Sequence, residues 1–142
     1  MTVDAQRDFQ ASMHCLCDAV AFVESFCRSQ HISPNDTLRL TVMIEELFTN
    51  VVRHGHGDDS DAPIRLSLTA SATEVAVVFE DTAPAFDPSA HVARSRADLE
   101  AELTDRPVGG FGVALVAQMA HSLDYTREGG LNRVRLVLVR QP

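Results

Sequence analysis

The segment of this chain with the most structural information is Glu46-Leu47-Phe48-Thr49-Asn50-Val51-Val52-Arg53-His54-Gly55. Upstream of it, Ser33-Pro34 places a capping residue before a proline, the arrangement that begins a helix. The apolar residues of this helix recur at helical spacing and predict its buried face: Leu40, Ile44, Leu47 and Val51. The helix is expected to end near Gly55, where a polar loop broken by glycine begins.

A polar stripe runs along this helix beside its apolar face. Glu46, Asn50 and His54 are four residues apart, so they lie on one side of the helix. A carboxylate and a carboxamide held together there could activate a nucleophile and coordinate a hard cation through oxygen. A solvated helix face with an ordinary hydrogen-bonded asparagine has the same spacing, and both interpretations stay open at this point.

The remaining elements predict an α+β two-layer sandwich. A short strand over residues 6–12 comes first, and Ser12 is placed to cap a helix from Met13 to about Gln30. The stripe of that helix is Leu16, Val20, Val23 and Cys27. Downstream of Gly55 the apolar period changes from 3.6 to 2, which predicts strands at Ile64–Leu68 and Val75–Phe79. Two last strands, near 123–127 and 132–139, flank a glycine turn. We expect a mixed, mostly antiparallel sheet covered on one face by helices.

Asp81 is the second candidate site residue. It shares the parity of Val75, Val77 and Phe79, so it is predicted to face the core at the end of its strand. A carboxylate in that place needs a strong partner. A ligand amine that donates a hydrogen bond is one solution, and an internal cap of the following turn is another.

The third candidate is the glycine-rich segment Arg106-Pro107-Val108-Gly109-Gly110-Phe111-Gly112-Val113. It opens a predicted third helix that ends near His121. Exposed backbone N–H groups at a helix N-terminus can hold phosphate without any lysine. A merely tight turn before a helix has the same composition.

Composition removes several classes of function. The chain has 142 residues with 12 basic and 20 acidic side chains, a net charge of −8, and all of its basic residues are arginine. Without lysine there is no P-loop, no eukaryotic-type kinase lysine and no Schiff-base chemistry. The acidic balance argues against nucleic acid, and no apolar run is long enough to span a membrane. Cys15, Cys17 and Cys27 cannot all pair, which favours a reduced, cytoplasmic protein.

Taken in this order, the three candidates resemble the GHKL (Bergerat-fold) ATPases, in particular the anti-sigma factor serine kinases of bacterial partner-switching systems. The segment 46–55 resembles the N box of that family, 81–88 its first glycine box and 106–116 its second. The ending from Tyr125 to Val134 is similar to the final hairpin of its small members. The resemblance covers nearly the whole chain and implies a single histidine kinase-like ATPase domain over residues 1–142.

The resemblance also implies a role for each site residue. Glu46 would be the catalytic base, and Asn50 would hold Mg²⁺ beside the bound ATP. Asp81 would accept a hydrogen bond from the adenine amino group, and residues 87–108 would form a short lid. The other nucleotide-binding positions implied are Ala85, Phe86, Arg106, Gly109, Gly110, Phe111, Gly112 and Val113. His54 is expected to pack structurally near the pocket.

The resemblance implies protein partners as well. A sigma factor or analogous regulator would be sequestered, and an anti-sigma factor antagonist would be phosphorylated on serine; a homodimer is also expected. The first glycine box departs from the family because Ala83 and Ala85 replace glycines. If either position needs a left-handed backbone, alanine costs about 1–2 kcal/mol there. The alternative is therefore a nucleotide-gated protein-binding module with little or no catalysis.

Two other interpretations are disfavoured. A detached ATP domain of a histidine kinase is disfavoured because the sequence shows no dimerisation helix with a phospho-acceptor histidine. A zinc site at His14, Cys15 and Cys17 lacks a fourth ligand at zinc spacing.

Overall fold

The computed structural model describes residues 3–85 and 119–141. Its elements in chain order are strand β1 (Ala5–Gln10), a 3₁₀ turn (Met13–Cys15), helix α1 (Leu16–Ser29), helix α2 (Pro34–Asn50), a π-helical turn (Val51–Gly55) and strands β2 (Pro63–Ala70), β3 (Glu74–Asp81), β4 (Ser122–Glu128) and β5 (Leu131–Val139). The predicted lid and the glycine-rich start of the third helix lie outside the described residues.

The five strands form one sheet in the order β1-β2-β3-β5-β4. Every pairing between the described strands is antiparallel, so the mixed pairing expected from the sequence does not occur in this part of the chain. Strand β3 is central, and its alternation is the predicted one: Val75, Val77, Phe79 and Asp81 are buried. Buried residues of both helices join these side chains in one core, which confirms the α+β sandwich.

The buried face of α1 differs in part from the predicted stripe. Val23 and Cys27 are buried as expected, but Leu16 and Val20 are only half-buried. Ala19 and Phe26 complete the buried face instead. These two residues fit the same helical period as Val23 and Cys27. The aromatic ring of Phe26 buries more apolar surface than the side chain of Leu16 would. Ser12 caps the 3₁₀ turn and not α1 itself: its Oγ accepts a hydrogen bond from His14 N at 3.3 Å, whereas α1 begins after Cys15 without a side-chain cap.

Helix α2 begins where the sequence predicts. Oγ of Ser33 accepts a hydrogen bond from the backbone N of Asp36 at 3.1 Å, and Pro34 is the first helical residue. The side chain of Asp36 is fully buried and accepts hydrogen bonds from Arg39 and from the backbone N of Gln141. The start of α2 is thereby tied to the C-terminal end of the chain, while its far end remains available to shape a pocket.

The turn between β4 and β5 shows why two adjacent glycines are needed there. Gly129 and Gly130 both have positive φ angles, 59° and 79°. Two consecutive left-handed residues are the geometry of a tight hairpin whose twist matches that of the strands. The turn therefore fixes the register of β5 against β4, with Arg127 opposite Asn132.

No helix in the described ranges is long and apolar enough to cross a membrane. Cys15, Cys17 and Cys27 are all free thiols. Residues 3–85 and 119–141 contain no group of three or more histidine, cysteine or acidic side chains that could hold a metal ion.

Candidate functional site

Asn50 is the last residue of α2, and its side chain is buried, with 7% of its surface exposed. Within the described part of the chain, Nδ2 of Asn50 has no hydrogen-bond partner. Leaving such a group unpaired costs about 1–3 kcal/mol. Of the two interpretations that the spacing allowed, a buried amide without a partner favours a binding position over a solvated helix face.

The other two members of the polar stripe are placed differently. Glu46, one turn before Asn50, is half-buried, whereas its neighbour Glu45 is exposed. His54 is also exposed, so the expectation that it packs near the pocket is wrong. The reason is the turn after Asn50, which is π-helical: the backbone N of His56 donates to the carbonyl of Val51, five residues earlier, at 2.9 Å. This wider turn ends the four-residue spacing on which the prediction rested.

Asp81 ends β3 and is 4% exposed, as its parity predicted. Its Oδ1 accepts a hydrogen bond from the backbone N of Ala83 at 2.9 Å, so the carboxylate does cap the turn that follows the strand. The same oxygen accepts a second hydrogen bond, from Nδ2 of Asn132 at 3.0 Å. Oδ1 of Asp81 is thus bound by two donors of the fold, and Oδ2 accepts from no residue in the described ranges.

Asn132 is the site residue that sequence reasoning missed. It lies directly opposite Asp81 in the pairing of β3 with β5 and is 3% exposed. Its Oδ1 accepts hydrogen bonds from the hydroxyl of Tyr125 at 2.6 Å and from the guanidinium of Arg127 at 2.7 Å. The sequence contained one usable signal, an asparagine just after the Gly129-Gly130 turn at a core-facing parity, but its partner depends on how the strands pair.

Asn50, Asp81 and Asn132 border one mostly apolar pocket between the end of α2 and the centre of the sheet. The apolar side chains that line it are Leu47, Val51, Phe79 and Val134, with Gly55, Ala83 and Pro84 at its edge. A flat, uncharged group with a few polar atoms fits such a lining, because apolar walls favour its burial while the polar side chains fix its orientation. Glu46 does not line this pocket.

Ala83 and Ala85 do not have the left-handed backbone that would make alanine unfavourable at these positions. Outside glycine, His31 is the one described residue with a positive φ, so neither alanine is left-handed. Ala83 is 2% exposed and packs against Gly55, whereas Ala85 is exposed. The alanines therefore fit this loop without strain, and the expected penalty does not apply. The remaining predicted positions, Phe86, Arg106, Gly109, Gly110, Phe111, Gly112 and Val113, lie outside the described residues.

The described residues fit a nucleotide and a divalent cation in their chemistry. The amide oxygen of Asn50 is a hard ligand of the kind that Mg²⁺ accepts. Asp81 brings a carboxylate acceptor to the wall of an apolar pocket, which suits a base with an amino group. The described residues that line the pocket include no basic side chain.

Comparison with other proteins gives a family. The model of a family described as "Histidine kinase-like ATPase domain" matches residues 9–138. The chain is also 29% identical over 119 residues to the serine/threonine-protein kinase BtrW of Bordetella bronchiseptica. That alignment covers 84% of this chain and 82% of BtrW.

Solved structures share the fold at much lower identity. The structure of the RsbU and RsbW domains of Rv1364c from Mycobacterium tuberculosis superposes with a TM-score of 0.64 at 13% identity, covering 97% of this chain and 33% of that one. The SiaB–SiaC complex from Pseudomonas aeruginosa superposes with a TM-score of 0.60 at 11% identity, covering 96% of this chain and 90% of the matched chain. At these identities the likeness concerns the fold alone.

Proposed function

The chain belongs to the histidine kinase-like ATPase domain family, and from this premise we propose that it binds ATP with Mg²⁺ and phosphorylates a protein partner on serine. The observation that supports this most directly is the pocket in which Asp81 and Asn50 meet apolar walls. Its chemistry matches an adenine base at one end and a cation at the other. The homologue BtrW, named a serine/threonine-protein kinase, supports protein as the class of substrate.

In this proposal Asp81 and the apolar walls bind the base. Oδ2 of Asp81 accepts a hydrogen bond from the adenine amino group, while Phe79 and Val134 cover the ring. The two hydrogen bonds to Oδ1 already stabilise the buried carboxylate, and the hydrogen bond to the base adds a donor at its other oxygen. Ala85 and Phe86 extend this wall in the proposed site.

The proposal assigns the phosphate end of the nucleotide to other residues. Asn50 holds the cation, which neutralises charge on the phosphates when bound. Phosphate oxygens are bound by backbone N–H groups of Gly109, Gly110, Phe111, Gly112 and Val113, and the guanidinium of Arg106 adds a cationic contact. This division needs no lysine, in agreement with the composition of the chain.

Glu46 is the proposed catalytic base, which accepts the proton of the attacking serine hydroxyl. Its half-buried position one turn before Asn50 supports this role, because it leaves the carboxylate accessible to a partner and close to the cation-binding residue. The adjacent Glu45 is exposed and off the stripe, and so provides a matched control.

We further propose that the protein works in the bacterial cytoplasm as a partner-switching regulator. It would sequester a sigma factor or an analogous regulator and phosphorylate an antagonist of that interaction, and it would form a homodimer. Two structures with this fold support the proposal: one is a complex of SiaB with SiaC, and the other contains the RsbU and RsbW domains of one protein.

The kinase proposal is tested by phosphoryl transfer from labelled ATP, with Mg²⁺, to small antagonist proteins encoded near the gene. We expect label on serine with the wild type and with Glu45→Gln, and a loss of about 100-fold or more with Glu46→Gln. Equal labelling by Glu46→Gln and the wild type would contradict the role of Glu46. No transfer by the wild type would contradict the kinase proposal.

The second candidate function is a nucleotide-gated binding module without turnover. The observation that favours it is the buried Ala83, whose carbonyl accepts hydrogen bonds from Asn132 and Arg127, so that the start of the loop after β3 is fixed. Calorimetry distinguishes the two functions: ATP binding without any ADP or phosphoprotein formed identifies the binding module.

A further inference from the structure

The amide of Asn132 has only one orientation that satisfies its neighbours. The hydroxyl of Tyr125 and the guanidinium of Arg127 both reach the same atom of Asn132, at 2.6 and 2.7 Å. Arginine can only donate, so the atom it contacts is the acceptor, Oδ1. Nδ2 is therefore directed to the opposite side, where it donates to Oδ1 of Asp81 at 3.0 Å and to the carbonyl of Ala83 at 2.9 Å.

This amide in turn fixes the carboxylate of Asp81. Oδ1 of Asp81 accepts from two donors, Nδ2 of Asn132 and the backbone N of Ala83, and these come from different segments of the chain. Two donors on one oxygen fix the orientation of the carboxylate, and among the described residues Oδ2 receives no donor.

The β4–β5 hairpin makes a second contact with the loop that follows β3 and contains Ala83. The guanidinium of Arg127 also donates to the carbonyl of Ala83, at 3.1 Å, so one arginine contacts both the amide and the loop that the amide holds. Tyr125 and Arg127 do not line the pocket. They act on it through Asn132.

We propose that Asn132 is a positioning residue that makes Asp81 selective for an exocyclic amino group, so that the pocket takes adenine nucleotides and rejects guanine nucleotides. The inference rests on the proposed function. A fixed carboxylate oxygen accepts from the amino group of adenine. Guanine carries a carbonyl oxygen at the same ring position. This oxygen would face the carboxylate oxygen of Asp81 with no proton to form a hydrogen bond between them. A site built around one hydrogen bond rejects ligands that cannot form it more strongly than an apolar site rejects a change in size.

The test measures the dissociation constants of ATP and GTP by calorimetry for the wild type and for Asn132→Leu, which keeps the size of the side chain and removes its hydrogen bonds. We expect the wild type to prefer ATP. We expect Asn132→Leu to lose about tenfold in ATP affinity with little change for GTP, so that the ratio falls by the same factor. Tyr125→Phe, which removes one of the two donors to Oδ1, is expected to lower the ratio less.

Two controls separate positioning from a general loss of stability. Asn35→Leu makes the same change at an asparagine that bonds Gln141 at the opposite end of α2. Val75→Ala removes buried apolar surface from the far end of β3. Both are expected to keep the wild-type ratio of affinities even where the melting temperature falls.

The outcomes distinguish this inference from the function on which it rests. If the wild type binds ATP but shows no preference over GTP, or if Asn132→Leu keeps the wild-type ratio, the role of Asn132 is overturned and the ATP-binding proposal stands. If the ratio also falls in Val75→Ala, the effect is one of stability and the inference is again overturned. If the wild type binds neither nucleotide, the proposed function fails, and this inference fails with it.

Discussion

Gly55 and Ala83 meet so closely that a Cβ atom on Gly55 would lie 2.8 Å from Cβ of Ala83. Gly55 ends the π-helical turn that follows Asn50, and Ala83 follows Asp81 by two residues. The contact therefore joins the two segments that bear the polar residues of the candidate site. Both residues line the same pocket, and its edge depends on both of them staying small.

Gly55→Ala is expected to lower the free energy of unfolding by about 1–3 kcal/mol, because the added methyl group overlaps that of Ala83 and the backbone must shift. Urea denaturation measures the change. In the double variant with Ala83→Gly, the overlapping methyl group is absent, so we expect a favourable coupling of about 1 kcal/mol or more between the two substitutions. Additive effects would show that the two residues do not touch.

His31→Gly is expected to stabilise the protein by about 1 kcal/mol. His31 follows the end of α1 with a φ of 55°, a left-handed conformation that glycine adopts at lower cost. The motif is a helix stop in which the backbone N of Ile32 donates to the carbonyl of Cys27 at 2.9 Å. Thermal and urea unfolding measure the change, with Gln30→Gly as the control that is expected to destabilise. A loss of stability in His31→Gly would mean that the histidine side chain has a role in the native state.

The ion pair of Asp8 and Arg65 on the open face of the sheet predicts a small dependence of stability on acid. The hydrogen bond from Arg65 holds the pKa of Asp8 below its ordinary value, against a smaller effect of desolvation. Because the folded pKa is the lower one, the pair stabilises the fold above the pKa of the unfolded chain. That contribution is lost as the pH falls through the folded pKa.

Melting temperatures of the wild type and Asp8→Asn, measured from pH 7 to pH 3, test this dependence. The wild type is expected to be slightly more stable at neutral pH, and the two curves are expected to converge in acid. The difference is small because about half of each side chain is exposed, at 48% for Arg65 and 52% for Asp8. Curves that stay parallel down to pH 3 would show that Asp8 is not ion-paired in solution.

The three free thiols are expected to react with iodoacetamide in the order of their exposure. Cys17 is exposed, Cys15 is half-buried and Cys27 is buried. Burial also raises the pKa of the Cys27 thiol, which reduces its reactive thiolate at any given pH. Peptide mass spectrometry of the native protein is expected to find label on Cys17 first and on Cys27 only after denaturant is added. Early labelling of Cys27 would show that α1 opens locally in the native state.

Much of the fold could be predicted because its signals are local. The change of apolar period at Gly55 marked where helices give way to strands, and Ser33-Pro34 marked the start of α2 within one residue. Ser12 was identified as a cap for a similar reason. The buried face of α1 was harder to predict, because Val23 and Cys27 belong to two possible apolar faces of the helix. Only the packing of the helix in the core decided that Phe26 is buried and Leu16 is not.

The candidate site also has some features that could be predicted from the sequence and others that could not. The sequence by itself determined that Asp81 faces the core, because the parity of a strand is set by its own residues. It also determined that Asn50 lies on the helix side that carries Glu46. Only the tertiary structure decided that Asn132 lies opposite Asp81, that Gly55 touches Ala83 and that His54 is exposed. These relationships depend on the pairing of distant strands and on a π-helical turn, and neither leaves a periodic signal in the chain.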